Sequence, residues 1–172
     1  MKFIFTTNNS FAPTLARLTL GIVMFPHGAQ KALGLFGGYG FQGTLNWFTQ
    51  QLHIPTVFAV LAIAAEFLGS LGLITGFLSR IAAFGVAVVM VVAVVRVHAV
   101  NGFFVNWFGN QKGEGFEFHL LAIGLALIVM IYGAGKLSLD AQLSRRPPNK
   151  LRCKVSVPPK ENTFHRRNSV RD

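Results

Sequence analysis

Four apolar stretches, at roughly residues 13–36, 55–78, 81–100 and 116–134, dominate this chain, and each contains charge or histidine. At ~1.5 Å rise per residue, each can reach across a bilayer core of about 30 Å. They carry, in order, His27 and Lys31, then Glu66, then Arg96 and His98, then Glu117 and His119. An ionised side chain near a bilayer centre costs at least ~2.5–3.5 kcal/mol, so such groups face a bundle interior and take partners. The pattern predicts an all-α integral membrane protein, a bundle of four transmembrane helices with a shared polar site between them.

Composition points the same way. The chain is 52% hydrophobic and 13% charged, where a soluble domain carries about 25% charge. Its 18 glycines suit closely packed membrane helices. The expected organisation is an N-terminal segment at 1–12, a membrane domain at 13–140 and a basic, disordered tail at 141–172. That tail holds nine Lys or Arg against Glu161 and Asp172, a surplus of seven in a net charge of +10. Beside a membrane helix, such a tail points to topology and anionic lipid. It has little aromatic content and no recognition module, so nucleic acid is not an expected partner. The single cysteine, Cys153, excludes an internal disulfide and a Cys-x-x-Cys pair. Redox chemistry would therefore need a bound cofactor or a partner. Residues 1–10 lack the apolar core and small-x-small site of a cleaved signal, so the first stretch reads as a retained helix.

Pro13 and Pro55 mark helix starts, where a missing N–H costs nothing, and Ser10 or Thr14 can cap the first. Gly37-Gly38-Tyr39-Gly40 opens a loop running to Ile54. In it, Trp47 and Phe48 suit an interfacial belt, as does Trp107 in the third loop. The short turn at Ser79–Arg80 makes the second and third helices an antiparallel hairpin. Gly72 and Gly76 form a G-x-x-x-G, a site of close helix approach within the bundle or between protomers. Lys2, Arg80 and the tail lie on one side and Lys112 alone on the other, so the positive-inside rule puts both termini in the cytoplasm. Arg17, near the inner rim, can snorkel to headgroups, and Asp140 at that rim is a candidate partner for it.

In this topology the ionisable cluster falls in the outer half, with His27 ~13 Å and Glu66 ~16 Å from the outer ends of their helices. His27 and Lys31 share a face. Arg96 and His98 diverge around a helix, as do Glu117 and His119, so at most one of each pair points fully inward. Glu66 has only apolar neighbours. It reads as a proton donor or acceptor, or as the acceptor for a ligand hydroxyl; the alternative is a structural ion pair with Lys31 or Arg96. His27, between Pro26 and Gly28, either exchanges protons with a redox ligand or is a hydrogen-bonded interior histidine. His27, His98 and His119 raise the question of haem or metal, but no His-x-x-x-His or Glu-x-x-His motif supports it and no metal site is assigned. His53 and His165 read as solvated.

Gly21, Phe25-Pro26-His27-Gly28 with Lys31, Glu66-x-x-Gly69, Gly76, Arg80, Glu117 and Gly133-x-Gly135-x-x-Ser138-x-Asp140 occur in that order. This set resembles the DoxX family of small four-helix bacterial membrane proteins. The resemblance implies a multi-pass protein of the cytoplasmic membrane linked to redox chemistry, with relatives described as subunits of quinone-reducing oxidoreductases or tied to oxidative-stress assemblies. The expected function is a quinone-linked redox subunit. Glu66 and His27 would supply protons, and Lys31 with Arg96 would polarise the carbonyls. Phe25 and Phe67 would line the ring, and His98, Glu117 and His119 complete the cofactor-binding set. Lipid, redox partner subunits and a second copy of the chain are the expected partners. The alternatives are a non-enzymatic scaffold that recruits soluble redox or stress partners and a small-solute transporter.

Overall fold

The computed structural model describes Phe5, Thr7 and residues 10–144. The disordered tail expected from residue 141 begins later: 141–144 belong to the helix Leu139–Ser144, with Ala141 buried, and the rest of the tail, with Cys153 and His165, lies outside the described residues. Among those described, all regular structure is helical. Helix α1 is Phe11–Leu33, α2 is Gly40–Gln50 and α3 is Thr56–Thr75. Helix α4, Ser79–Ala93, runs on through a π-helical turn, Val94–His98, and a 3-10 turn, Ala99–Asn101. Helix α5 is Glu117–Tyr132 and α6 is Leu139–Ser144. Of the two candidate caps, Ser10 is used: its hydroxyl accepts from the Ala12 N–H at 3.3 Å. Thr14 instead donates to the Lys136 carbonyl at 2.8 Å.

Helix α2 corrects the expectation of a plain loop between Gly37 and Ile54. Thr44 and Phe48 lie four residues apart and are both buried, so the segment has an inward face. Phe48 packs with Ala59 and Ile63 of α3 and is a core residue, not part of an interfacial belt. Its neighbour Trp47 is exposed.

Two helices, Thr56–Thr75 and Ser79–Asn101, are long and apolar enough to cross a membrane; α5 is apolar but shorter, at 16 residues. Only 33% and 28% of the two spans is buried, whereas the core helix of a soluble protein is mostly buried. Val57, Phe58, Leu61 and Leu68 of α3, with Ile81, Phe84, Val88 and Val91 of α4, all face outward. An apolar surface this continuous belongs in lipid.

The core is built from Leu20 and Met24 of α1, Leu73 of α3, Ala83, Val86 and Met90 of α4, and Ala122, Ala126 and Val129 of α5. Alanines recur in it at 83, 122 and 126, and where small residues face one another the backbones approach closely. A Cβ on Gly28 would lie 2.6 Å from the Phe67 Cα, which makes α1 and α3 touch backbone to backbone. Both glycines of the G-x-x-x-G are sites of close approach: Gly72 packs on the α3–α4 hairpin near Ala82, and a Cβ on Gly76 would run into the Ser138 Cβ. Gly76 is the left-handed residue that ends α3, with φ of 71°.

At the hairpin end, Arg17 is 1% exposed and does not snorkel. Its guanidinium donates to the carbonyls of Leu73, Ile74 and Ala134 at 2.8 Å and of Leu137 at 2.7 Å. These carbonyls are left without helical partners by the end of α3 and by the turn after α5, and the five-donor guanidinium gathers them. The expected Arg17–Asp140 ion pair does not form. Asp140 accepts from the Leu78 and Ser79 N–H groups, both at 2.9 Å, and so caps α4.

Candidate functional site: a polar pair in an apolar cavity

The α3–α4 hairpin is closely packed from its turn as far as Ala65 and Gly85. A Cβ on Gly85 would sit 3.2 Å from the Ala65 Cβ. Farther from the turn, the two helices line a cavity of about 1050 Å³, together with α1, α2, the start of α5 and the loop before it. Most of the wall is apolar, with Met24, Leu61, Ala62, Val88 and Phe118 among its residues. Its ionisable side chains include His27, Lys31, Glu66, Arg96, His98 and His119.

Lys31 Nζ lies 2.5 Å from Glu66 Oε2. The Glu66 side chain is 4% exposed and that of Lys31 29%. Of the two partners open to Glu66 from sequence, the structure therefore selects Lys31. Gly28, one turn before Lys31, lets α1 approach Glu66 and Phe67 closely enough for the pair to form. Arg96 instead donates to the Leu52 carbonyl, in the α2–α3 connection.

The histidines continue around the wall as a row of rings. His27 faces Phe118 at 5.9 Å between centroids, Phe118 meets His119 at 5.6 Å, and His119 meets His98 at 4.2 Å. His98 Nδ1 is 2.8 Å from the Glu114 carbonyl. A carbonyl can only accept, so Nδ1 carries the proton in this bond. His119 is buried, and its Nδ1 has no hydrogen-bond partner among the described residues. Arg96 and His98 lie in the π-helical turn, where α-helical angular spacing no longer applies. Both line the cavity, and neither is buried.

Three expected site residues lie elsewhere. The Glu117 carboxylate accepts from the Val105 N–H at 3.1 Å and holds the loop before α5, off the cavity wall. Phe25 and Phe67 pack on each other, 6.1 Å between centroids, and do not line the cavity. The close α1–α3 contact at Gly28 accounts for this, because it leaves no room for a ligand between the two helices. Phe118 and Trp47, which sequence reasoning did not assign to the site, do line it. The only signal for Phe118 was its place between Glu117 and His119.

The lipid-facing helices and the ion pair set into an apolar cavity define a small helical membrane protein with an internal amphipathic site. The family model for DoxX matches residues 12–99, from the start of α1 through α4 and its π turn, and the chain belongs to the DoxX family. It is also similar to an uncharacterised protein of Haemophilus influenzae (strain ATCC 51907 / DSM 11121 / KW20 / Rd). The two are 30% identical over 114 residues, which cover 61% of this chain and 72% of that protein. No solved structure matches the chain.

Proposed function

We propose that this protein is a quinone-linked redox subunit of the bacterial cytoplasmic membrane. In this reading it crosses the bilayer four times, with both termini in the cytoplasm and the cavity in the outer half. The observation that carries the reading is the Lys31–Glu66 pair, 2.5 Å apart, on the wall of a largely apolar cavity of about 1050 Å³. A cavity of this kind suits a ligand that is mostly apolar and carries a few polar atoms.

The donor set fits a quinone. Lys31 and Arg96 offer cationic N–H groups to carbonyl oxygens. Glu66 and His27 can hold and release protons. The rings of Phe118, His119 and His98 offer flat faces. A quinone bound there takes up two electrons and two protons as it becomes a hydroquinone. The chain's own work is to orient the carbonyl ends, to keep water out with Met24, Ala62 and Phe118, and to hold exchangeable protons at the Glu66 carboxyl and the His27 ring. Electrons arrive from partner redox subunits.

Trp47 on the cavity wall is a built-in reporter, and the chain has only one other tryptophan, Trp107. In a Trp107→Phe background, a short-tailed quinone should quench Trp47 fluorescence saturably, and Lys31→Met should weaken binding about tenfold, or ~1.4 kcal/mol. Quenching that rises linearly without saturation would argue against the reading.

The exposed aromatic residues Phe103, Phe104, Trp107 and Phe108, between α4 and α5, favour a second reading. A non-enzymatic scaffold would recruit soluble redox or stress partners through this loop. It would lose them on loop substitution and keep them in Glu66→Gln.

A further inference from the structure

We infer that the cavity opens sideways between α3 and α4, and that its ligand enters and leaves through this window from the bilayer, its apolar tail lying in the cleft. This rests on the reading of the cavity as a ligand site.

Phe58 and Leu61 of α3 and Phe84, Val88 and Val92 of α4 line the cavity and are 40–63% exposed, far more than the core residues behind them. A side chain that lines the cavity and is this exposed stands on a rim. The opposite wall, on α1 and α5, is closed behind the cavity: Met24 is 1% exposed, and Lys31 and Phe118 line the cavity and are partly buried. On α4 the rim residues fall every fourth position, so they form one straight edge; Phe58 and Leu61, three apart, form the other.

The window has two ends. On the side toward the hairpin turn, Ala65 against Gly85, midway along the two helices, closes the gap between them. At the far end, the Arg96 guanidinium reaches across from the π-helical turn to the Leu52 carbonyl. Glu114 and Gly115 contribute wall from the loop before α5.

The chemistry selects the traveller. Both edges are purely apolar and offer a hydrated solute nothing in exchange for its water. Inside lie the Lys31–Glu66 pair and the histidines. An amphiphile matches both, with its compact polar ring at the ion pair and its isoprenoid or alkyl tail between the edges, in contact with lipid. The expected occupant is thus a membrane-dissolved, tailed molecule, as opposed to a water-soluble one or a second copy of the chain.

The test uses the full chain in phospholipid nanodiscs. An apolar diazirine reagent dissolved in the bilayer is photolysed, and labelling of Lys31 and Phe118, on the back wall formed by α1 and α5, is read by mass spectrometry. In parallel, binding of a menaquinone with its isoprenoid tail is compared with binding of menadione, the same ring without a tail. Leu61→Trp and Val88→Trp each widen one outward-facing edge and should leave the core folded. The expected result is labelling of Lys31 and Phe118 in the wild type and several-fold less in both variants. Tailed menaquinone should associate about tenfold more slowly in the variants, with menadione binding little changed. Labelling that falls in the variants while neither quinone binds the wild type would keep the window and overturn the quinone reading. Tailed quinone that binds alike in the wild type and both variants would overturn the window and keep the quinone site. An unlabelled back wall in the wild type, whether or not native mass spectrometry shows a dimer covering this face, would also overturn the window.

Discussion

The Lys31 ammonium on α1 and the Glu66 carboxylate on α3 meet at 2.5 Å, with Glu66 almost fully buried and Lys31 reaching it from a partly open position. This asymmetry makes the two substitutions unequal. Lys31→Met strands a buried carboxylate, which should cost roughly 3–5 kcal/mol. Glu66→Gln leaves a lysine that is partly exposed to the cavity and should cost less. The double variant should recover most of the Lys31→Met loss, because it buries no unpaired charge. Thermal unfolding in mild detergent of the two single variants and the double variant gives the coupling; simple additivity would mean that the pair is not energetically joined.

Gly28 should tolerate no side chain. The Cβ of an alanine would lie 2.6 Å from the Phe67 Cα and 2.8 Å from the Glu66 carbonyl carbon, which are backbone atoms that cannot swing aside. Gly28→Ala should therefore push α1 away from α3 and destabilise by about 1–3 kcal/mol, as overpacking does. It should also pull Lys31 from Glu66. Adding Lys31→Met should then cost clearly less in the Gly28→Ala background than in the wild type, and a full-sized effect would show that α1 had not moved.

Arg17→Lys should be nearly as damaging as Arg17→Ala. Four carbonyls, from Leu73, Ile74, Ala134 and Leu137, converge on one planar guanidinium. A lysine has three donors and lacks the fork, and each buried carbonyl left unpaired costs about 1–3 kcal/mol. The expected loss is at least about 3 kcal/mol, read by thermal unfolding. Hydrogen exchange should rise first in the segment after α5. Near-wild-type stability for Arg17→Lys would show that charge alone, not the fork, holds this end.

The helices were legible because apolar length and glycine punctuation act locally: α1, α3, α4 and α5 all fall close to the stretches read from sequence. Helix α2 was not, because only two inward residues, Thr44 and Phe48, mark its face, and the glycines before it look like loop. The ionisable side chains on the cavity wall could be grouped by depth along each helix. Their partners could not, since these depend on helix rotation and on backbone acceptors that no side-chain pattern announces. Arg17, Arg96 and Asp140 all bind backbone groups, so charge matching misplaced them. Phe25 and Phe67 were misplaced for a related reason: Gly28 closes the space between α1 and α3 where the two rings pack, and α1 reaches the cavity through Met24, His27 and Lys31 instead.

The central claim, that the cavity around Lys31 and Glu66 holds quinone, is tested most directly by what the protein carries out of the membrane. The wild type, Glu66→Gln and an unrelated membrane protein would be purified in the same mild detergent, extracted, and their quinone quantified per protein. The account predicts near-stoichiometric quinone in the wild type and a marked fall in a still-folded Glu66→Gln. Quinone at the level of the unrelated protein in both would contradict it.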